Sequence, residues 1–294
     1  MPAIDPPGGA DGIRAASVAP DGGGAAPAAP ASSPAPRPPA RLAWREAEIV
    51  RVIDETPSAR SLVLRVPAWP GHLPGQHVDV RLTADDGYQA QRSYSIASPP
   101  ERPELVLTVE RIDDGEVSPW LAGEARAGDR FELRGPIGGY FTWTTAAGGP
   151  LQLVAGGSGI VPLMSMLRHR ALAAGGREVP ARLLASWRGV GAMVYRGEIA
   201  ALAGGASDGA GDGRGLSVVH TLTREAPPAG WAGERGRVDA EMLRRRVFAA
   251  SEAPRVYVCG PTPFVEAVAS ALVALGHARE RVWTERFGPT GGGG

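Results

Sequence analysis

Short runs of alternating hydrophobic and polar residues fill the chain from Trp44 to Leu133. The clearest runs lie at 48–53, 61–66, 77–82 and 104–109, and turn residues separate them. Alternation with a period of two, rich in Val, Ile and Leu, is typical of β-strands with one buried face. The spacing predicts an antiparallel β-barrel, with one short helix at 118–126.

The pattern changes near Gly148. An apolar strand, Leu151–Ala155, leads into a glycine-rich turn, and Pro162 is predicted to open a helix that Gly175 and Gly176 close. Beyond it, strands are predicted at 182–187, 217–222, 255–259 and 281–285, and helices at 239–250 and 263–275. Strand–helix alternation predicts a Rossmann-like α/β domain with a parallel sheet.

Composition divides the chain further. Residues 1–40 are mainly Ala, Pro and Gly, and such a stretch buries too little apolar surface to offset its ordering entropy, so we predict a disordered tail. The domain prediction is therefore a tail at 1–40, an antiparallel barrel at 41–147, an α/β domain at 148–288 and a flexible end at 289–294. Residues 203–215 read as a flexible surface loop.

Charge and cysteine content exclude several function classes. The 31 cationic residues balance 31 acidic ones, and every cation is Arg, so there is no catalytic lysine and no net field that would attract nucleic acid. The single Cys259 excludes an internal disulfide, a four-cysteine zinc site and a cysteine-held iron–sulfur cluster within this chain. The five histidines lack metal-ligand spacing, so we expect no metal.

No run of about 18 apolar residues occurs and no apolar segment follows a basic start, so we expect no membrane span and no signal peptide. A cytoplasmic protein is the prediction, because a single cysteine is typical of that compartment.

Three segments carry residues suited to cofactor chemistry. Gly156–Pro162 joins a strand to a helix start, where backbone N–H groups can bind phosphate. Arg92–Ser95 places a guanidinium and an aromatic ring on one face of a strand. Cys259–Pro261 ends a parallel strand, which is where α/β sheets bind ligands. Taken singly, each segment has an alternative interpretation: a tight turn that binds nothing, a polar barrel strand, and a buried small hydrophobic residue, respectively.

Together these segments resemble the ferredoxin–NADP reductase family. Five motifs stand in the family's order, over about residues 44–288: Arg92-Ser-Tyr-Ser95, Gly135-Pro-Ile-Gly138, Gly156-Gly-Ser-Gly-Ile-Val-Pro162, Cys259-Gly-Pro261 and Glu285-Arg-Phe-Gly288. The resemblance implies a six-stranded antiparallel flavin-binding barrel followed by a nicotinamide-nucleotide domain, which agrees with the pattern above.

The resemblance also implies roles on the flavin side. Arg92 would pair with the flavin diphosphate, Tyr94 would stack on the isoalloxazine ring and Ser95 would hydrogen-bond its N5 atom. Further flavin contacts are implied for Ser93, Val109, Arg111, Gly115, Val117 and Ser118. FAD is favoured over FMN on the family's commoner usage, although the motif residues serve either.

On the nicotinamide side, the resemblance implies that Gly157, Ser158, Gly159 and Pro162 hold the nucleotide phosphates. Cys259 would lie beside the nicotinamide, with Gly260 leaving room for the ring and Pro261 completing the motif. Glu285 matches the family's near-terminal acid, and Phe287 matches the aromatic residue that covers the flavin. Ser95, Cys259 and Glu285 are the implied catalytic residues.

The loops after the nucleotide-domain strands bear on the choice between NADPH and NADH. They carry Arg188, Thr223, Arg224, Arg235 and Arg237, and no acid directly follows the second strand. We therefore predict NADPH as co-substrate, with NADH as the alternative. The alternative is that these arginines are solvated surface residues.

The implied activity is hydride transfer from NADPH to bound FAD, followed by electron transfer to a separate acceptor such as ferredoxin. A monomer with no fused iron–sulfur domain is expected. The alternatives are a flavin or ferric reductase that uses diffusible acceptors, and an electron-transfer or regulatory subunit of a larger redox complex.

Overall fold

A computed structural model describes residues 42–204 and 215–288, and these belong to one compact unit. The predicted tails at 1–40 and 289–294 and most of the predicted loop at 203–215 lie outside the described residues.

The first domain is an antiparallel sheet closed into a barrel. Its strands are β1 (Trp44–Thr56), β2 (Ala59–Arg65), β3 (His77–Thr83), β4 (Gln89–Ser95), β5 (Leu105–Glu110) and β6 (Arg130–Ile137). They are ordered β4-β3-β6-β1-β2-β5. An antiparallel bridge between Ile96, directly after β4, and Leu107 of β5 joins the two edges of the sheet. Closure leaves the inward-facing residues, such as Ile49, Leu62 and Leu107, fully buried in one core.

A short helical turn, Trp120–Glu124, lies within the predicted helix and closes one end of the barrel. Leu121 is fully buried in the barrel core, and the Trp120 ring packs edge-on against Phe131.

The second domain is a parallel sheet with helices on both faces. Its strands are β7 (Leu151–Gly156), β8 (Ala181–Trp187), β9 (Leu216–Leu222), β10 (Glu234–Arg235), β11 (Arg255–Pro261) and β12 (Val282–Phe287), in the order β10-β9-β8-β7-β11-β12. The chain moves outward from β7 in one direction and then returns to β7's other side with β11. This reversal is the point where open α/β sheets bind ligands.

The helices of this domain are α1 (Ile160–Leu172), α2 (Arg196–Leu202), α3 (Ala240–Arg246) and α4 (Thr262–Ala274). Separate apolar cores fill the two faces of the sheet. No helix in the described part of the chain is long and apolar enough to span a bilayer. The predicted fold class, a flavin-type barrel followed by a parallel α/β domain, is confirmed.

Two helix predictions were wrong in detail. Helix α1 begins at Ile160 rather than Pro162, because a proline anywhere in the first turn lacks only an N–H that has no acceptor there. Helix α3 ends at Arg246 rather than 250, because Val247 and Phe248 bond to Arg182 and Gln152 instead.

Helix α2 was not predicted. Its N-cap is Tyr195 in a left-handed conformation, without the Ser, Thr, Asp or Asn that marks a helix start in a sequence.

Candidate functional site

The two glycine segments of the nucleotide domain meet at the sheet reversal. The turn after β7 and the end of β11 touch through their backbones, since a Cβ on Gly159 would lie 2.2 Å from the Cys259 carbonyl oxygen. A Cβ on Gly260 would lie 3.2 Å from the Gly156 Cα. Only glycine permits this approach, so these positions serve close packing of the two strand ends.

The three predicted catalytic residues converge at this junction. Cys259 and Glu285 are direct neighbours in the β11–β12 register. The Ser95 hydroxyl, at the end of β4 in the barrel, donates to Glu285 Oε1 at 3.2 Å. The Ser95–Glu285 hydrogen bond therefore joins the two domains beside the Cys259 thiol.

Burial sets the protonation of this junction. It raises the pKa of Glu285 to about 7, although the hydrogen bond from Ser95 acts in the opposite direction. Burial, and after it the nearby Glu285 charge, raises the pKa of the Cys259 thiol well above its usual range. Cys259 is thus a neutral thiol rather than a nucleophilic thiolate, and Glu285 changes charge near neutral pH.

On the flavin side, the alternation along β4 places Arg92 and Tyr94 on one face of the strand and Ser93 and Ser95 on the other, as expected. Arg92 is exposed and Tyr94 packs partly on the barrel core. The Ser93 hydroxyl donates to Asp79 Oδ1 at 2.6 Å, and Arg134 donates to the other oxygen of that carboxylate at 2.9 Å. The Ser93 hydroxyl is therefore engaged with the neighbouring strand β3, although the residue as a whole is exposed.

Arg92 is paired with an acid that sequence reasoning missed. Its Nη2 donates to Glu116 Oε2 at 2.6 Å, and the Tyr88 hydroxyl donates to the other oxygen of Glu116. The Tyr88 hydrogen bond is the main cause of a lowered pKa of Glu116, with Arg92 contributing in the same direction. The guanidinium predicted for the diphosphate thus already holds one carboxylate.

The loop 111–118 supplies backbone donors. The Ser118 hydroxyl accepts from the Ile112 N–H at 3.1 Å, which ties the loop into a closed turn. No acceptor is found in the described chain for the N–H groups of Val117 and Ser118. Val109 is buried in the barrel core, and Arg111 pairs with Asp113 at 3.0 Å. The Ser118 hydroxyl is thus engaged within the loop, which leaves the backbone N–H groups of Val117 and Ser118 as the donors that the loop offers a ligand.

The nucleotide turn has the geometry of a phosphate site. Gly157 adopts a left-handed φ of 54°, and a Cβ there would meet nothing within 4 Å. Ser158 and Gly159 then lead directly into α1, a 13-residue helix. The N–H of Ile160, the first helical residue, donates to the Gly157 carbonyl, and the positive end of the helix dipole at this turn favours an anion.

The arginines of the predicted selectivity loops, Arg188, Arg224, Arg235 and Arg237, are exposed. The Thr223 hydroxyl donates to the Trp187 carbonyl instead of facing a ligand.

The same region contains an acidic residue, Glu225, that lies close to the end of β8 in space although it follows β9 in sequence. A Cβ on Gly189 would lie 1.9 Å from the Glu225 carboxyl carbon, so this carboxyl group covers the residue two positions after β8. No acid follows the second strand in sequence, but the third strand supplies one in space.

Phe287 ends β12 opposite Pro261 and is 36% exposed. The structure thus places it two residues beyond Glu285, at the open side of the junction. In the described chain no group of three His, Cys, Asp or Glu side chains is arranged to hold a metal ion.

Two domain families match the chain in tandem. The family described as oxidoreductase FAD-binding domain matches residues 47–142, and the oxidoreductase NAD-binding domain matches residues 153–270. The chain belongs to the ferredoxin reductase-like family.

Relatives of this ferredoxin reductase-like chain include oxygenase components. The ferredoxin reductase component of 3-ketosteroid-9-alpha-monooxygenase from Mycobacterium tuberculosis is 32% identical over 253 residues, which are 82% of this chain and 65% of that protein. A flavohemoprotein from Bordetella pertussis is 32% identical over 267 residues, 85% of this chain and 61% of that one. This chain thus spans less than two thirds of the length of these relatives.

Among solved structures, the ferredoxin reductase in carbazole 1,9a-dioxygenase superposes with a TM-score of 0.69 at 25% identity, over 85% of this chain and 71% of that one.

The residues present fit the FAD and nicotinamide that the two domains bind. The flavin side offers an exposed guanidinium and two unpaired N–H groups, and the nucleotide side offers a helix N-terminus beside glycines that leave space. Sequence reasoning missed Asp79, Glu116 and Glu225, each of which acts on a motif residue from another strand or loop. For Glu225 a signal existed, because it directly follows the predicted Thr223-Arg224 pair.

Proposed function

We propose that this chain is a flavin-dependent oxidoreductase that takes electrons from NADPH through bound FAD to a separate acceptor. The observation that carries the proposal is the junction of Ser95, Cys259 and Glu285, which links the FAD-binding and NAD-binding domains at one point. The two cofactors react only in contact, so a site that hosts both belongs where the domains meet.

A bound flavin accepts a hydride from a reduced nicotinamide and passes on its two electrons singly. The chain's own residues bind, orient and exclude water. Arg92 and the N–H groups of Val117 and Ser118 hold the diphosphate, and Tyr94 supports the ring. The turn 157–159 holds the nucleotide phosphates, and Phe287 limits access from solvent.

At the junction, Ser95 and Glu285 hold a proton between them. Below about pH 7 Glu285 is protonated and can donate, and above it the carboxylate only accepts. Cys259 stays a neutral thiol and contributes shape rather than charge.

The acceptor we propose is a ferredoxin or another one-electron carrier protein. Support comes from relatives named as ferredoxin reductase components of oxygenases. We propose a cytoplasmic monomer, and both attributes remain predictions.

For the nucleotide, Arg188 and Arg224 support NADPH, because guanidinium groups suit a 2′-phosphate. One observation favours NADH instead, namely the Glu225 carboxyl group over Gly189 at the end of the second strand. An acid at that place accepts from a ribose 2′-hydroxyl and repels a 2′-phosphate.

The test is anaerobic reduction of the flavin-loaded protein by each nucleotide, followed by assays with ferredoxin, free flavin and ferric chelates. Bleaching by a nicotinamide with ferredoxin as the best acceptor is expected. Preference for free flavin or ferric chelates would identify the diffusible-acceptor reductase instead. Failure of both nucleotides to bleach the flavin would contradict the proposal and favour a regulatory subunit.

A further inference from the structure

Helix α1 is buried on almost every side, which a helix on one face of a sheet does not require. Its apolar residues pack on the sheet, but Ser165, His169 and Arg170 are also buried. Ser165 and His169 face the barrel, where the Ser165 hydroxyl donates to the Ser98 carbonyl at 2.7 Å and His169 Nδ1 lies 2.6 Å from Glu101 Oε1. The helix is thus fastened to the other domain along its second half.

Arg168 is the centre of this attachment. Its Nη1 donates to the Ala97 carbonyl of the barrel at 2.8 Å. Its Nε and Nη2 donate to the two oxygens of Glu198 on α2 at 2.8 and 2.6 Å. Burial lowers the pKa of this guanidinium, but Glu198 and its other neighbours more than offset that effect, so the cation persists.

Tyr195 forms a second branch. Its ring lies under the Arg168 guanidinium, 4.8 Å from ring centroid to Cζ, and its hydroxyl donates to Thr108 in the barrel. Thr108 is bonded in turn to Ser61 at 2.7 Å. Tyr195 holds a left-handed φ of 60°, which is uncommon for a tyrosine and is compatible with a backbone held by its side chain.

The attachment between Arg168 and the Ala97 segment is close in sequence to both half-sites of the junction. Ala97 and Ser98 follow Ser95 by two and three residues, so the segment that binds α1 is the segment that carries the flavin-side hydroxyl. Helix α1 begins directly after the nucleotide turn, about 12 Å from Arg168 at 1.5 Å per residue. One rigid helix therefore links the nucleotide turn to the Ser95 segment.

We propose that Arg168 is a positioning residue for hydride transfer, which sets the separation between the flavin-side Ser95 and the nucleotide turn 157–159. The inference rests on the proposed function. Neither Arg168 nor Tyr195 touches the junction, so their effect is on the geometry of the two half-sites. A displacement of about 1 Å lowers the rate of such a reaction by about 100-fold.

The experiment is stopped-flow reduction of the full, flavin-loaded chain by NADPH and NADH without oxygen, over a range of nucleotide concentrations. We expect Arg168→Met to lower the limiting reduction rate by about 10-fold to 100-fold, with the apparent Kd for nucleotide changed less than about 3-fold. The long-wavelength nicotinamide–flavin absorbance should fall in parallel. Flavin content and the rate of reduction by dithionite should match the parent protein.

Tyr195→Phe removes only the hydroxyl that reaches Thr108 and should lower the limiting rate by about 3-fold to 10-fold. Arg168→Lys keeps a cation without the fork geometry and should fall between the methionine variant and the parent. Arg177→Met is the matched control, because Arg177 Nε donates to Ala171 within its own domain, and it should behave as the parent.

Limiting rates of Arg168→Met and Tyr195→Phe equal to that of the parent would overturn the inference. If Arg168→Met does not fold, Arg168→Lys and Tyr195→Phe decide, and parental rates in both would overturn it. If the parent protein is not reduced by either nucleotide, the proposed function fails first, which is a different result from a loss confined to these variants.

Discussion

The flavin half-site and the nicotinamide half-site are built in different ways. On the barrel, the motif side chains make hydrogen bonds: Arg92 to the Glu116 side chain, Ser93 to the Asp79 side chain and Ser118 to the Ile112 backbone. At the sheet reversal, backbone meets backbone, with Gly159 against Cys259 and Gly260 against Gly156. The flavin half-site therefore depends on charge, whereas the nicotinamide half-site depends on the absence of Cβ atoms. Each should fail under a different kind of substitution.

Gly159→Ala should distinguish the two half-sites most strongly, because it should impair the nicotinamide half-site and leave the flavin half-site intact. The added methyl would lie 2.2 Å from the Cys259 carbonyl, so β11 or the turn must move, at a cost in free energy of unfolding of about 1–3 kcal/mol or more. Displacement of the turn should lower nicotinamide-dependent reduction by about 100-fold while flavin stays bound. Urea unfolding and anaerobic reduction measure both effects.

Gly191→Ala is the control for that change, since a Cβ there meets nothing within 4 Å and the residue lies in the same domain. Equal losses in both variants would show that the close approach at Gly159 is not the cause.

Charge removal on the flavin half-site should act on cofactor retention. Arg92→Met removes a charge-assisted hydrogen bond worth about 1.5–3 kcal/mol, so flavin affinity should fall about 10-fold to 100-fold. Fluorescence titration of the stripped protein with FAD measures it. Arg65→Met, at another exposed barrel arginine paired with an acid, should leave the affinity unchanged. An unaltered affinity in Arg92→Met would contradict a diphosphate role for Arg92.

The junction should respond to pH through Glu285. Because its pKa is raised to about 7 in the folded protein, its stabilising contribution is present at acid pH and is lost as pH rises from about 4.5 through 7. Glu285→Gln lacks this loss. Its free energy of unfolding relative to the parent should therefore increase by about 3 kcal/mol between pH 4.5 and 8.

The reduction rate supplies a second measurement for Glu285. The parent profile should change near pH 7, and the Glu285→Gln profile should be flat there. A break near pH 7 that survives in Glu285→Gln would assign it to another group.

The smallest effect concerns nucleotide choice. Glu225→Gln removes the carboxylate over Gly189 and leaves Arg188 and Arg224 in place, so the ratio of kcat/KM for NADPH to that for NADH should rise about 3-fold to 10-fold. Glu241→Gln, at an exposed position of α3, is a control of equal charge change. No change in the ratio would mean that Glu225 does not face the ribose.

The sequence predicted the site residues on the two half-sites unequally. The glycines of the nucleotide turn could be predicted from local sequence, because consecutive residues specify a turn between a strand and a helix. The polar residues Arg92 and Ser93 were predicted as site residues, but their hydrogen-bond partners were not. Glu116 lies 24 positions from Arg92 in sequence, and Asp79 contacts Ser93 from the other strand of a hairpin. Ser93 and Ser118 were predicted as flavin contacts, and the partners that engage their hydroxyls in the structure, Asp79 and Ile112, were missed for the same reason.

Local patterns by themselves determined the barrel strands, the parallel sheet and the order of the motifs, since period-two alternation and strand–turn–helix signals act over a few residues. Tertiary structure alone decided where α3 ends, that α2 forms, and that Glu225 covers Gly189. It also decided the Ser95–Glu285 contact, which spans 190 positions, and the Arg168–Ala97 bond, which spans 71. Such contacts depend on how two domains pack, and no short-range propensity encodes that packing.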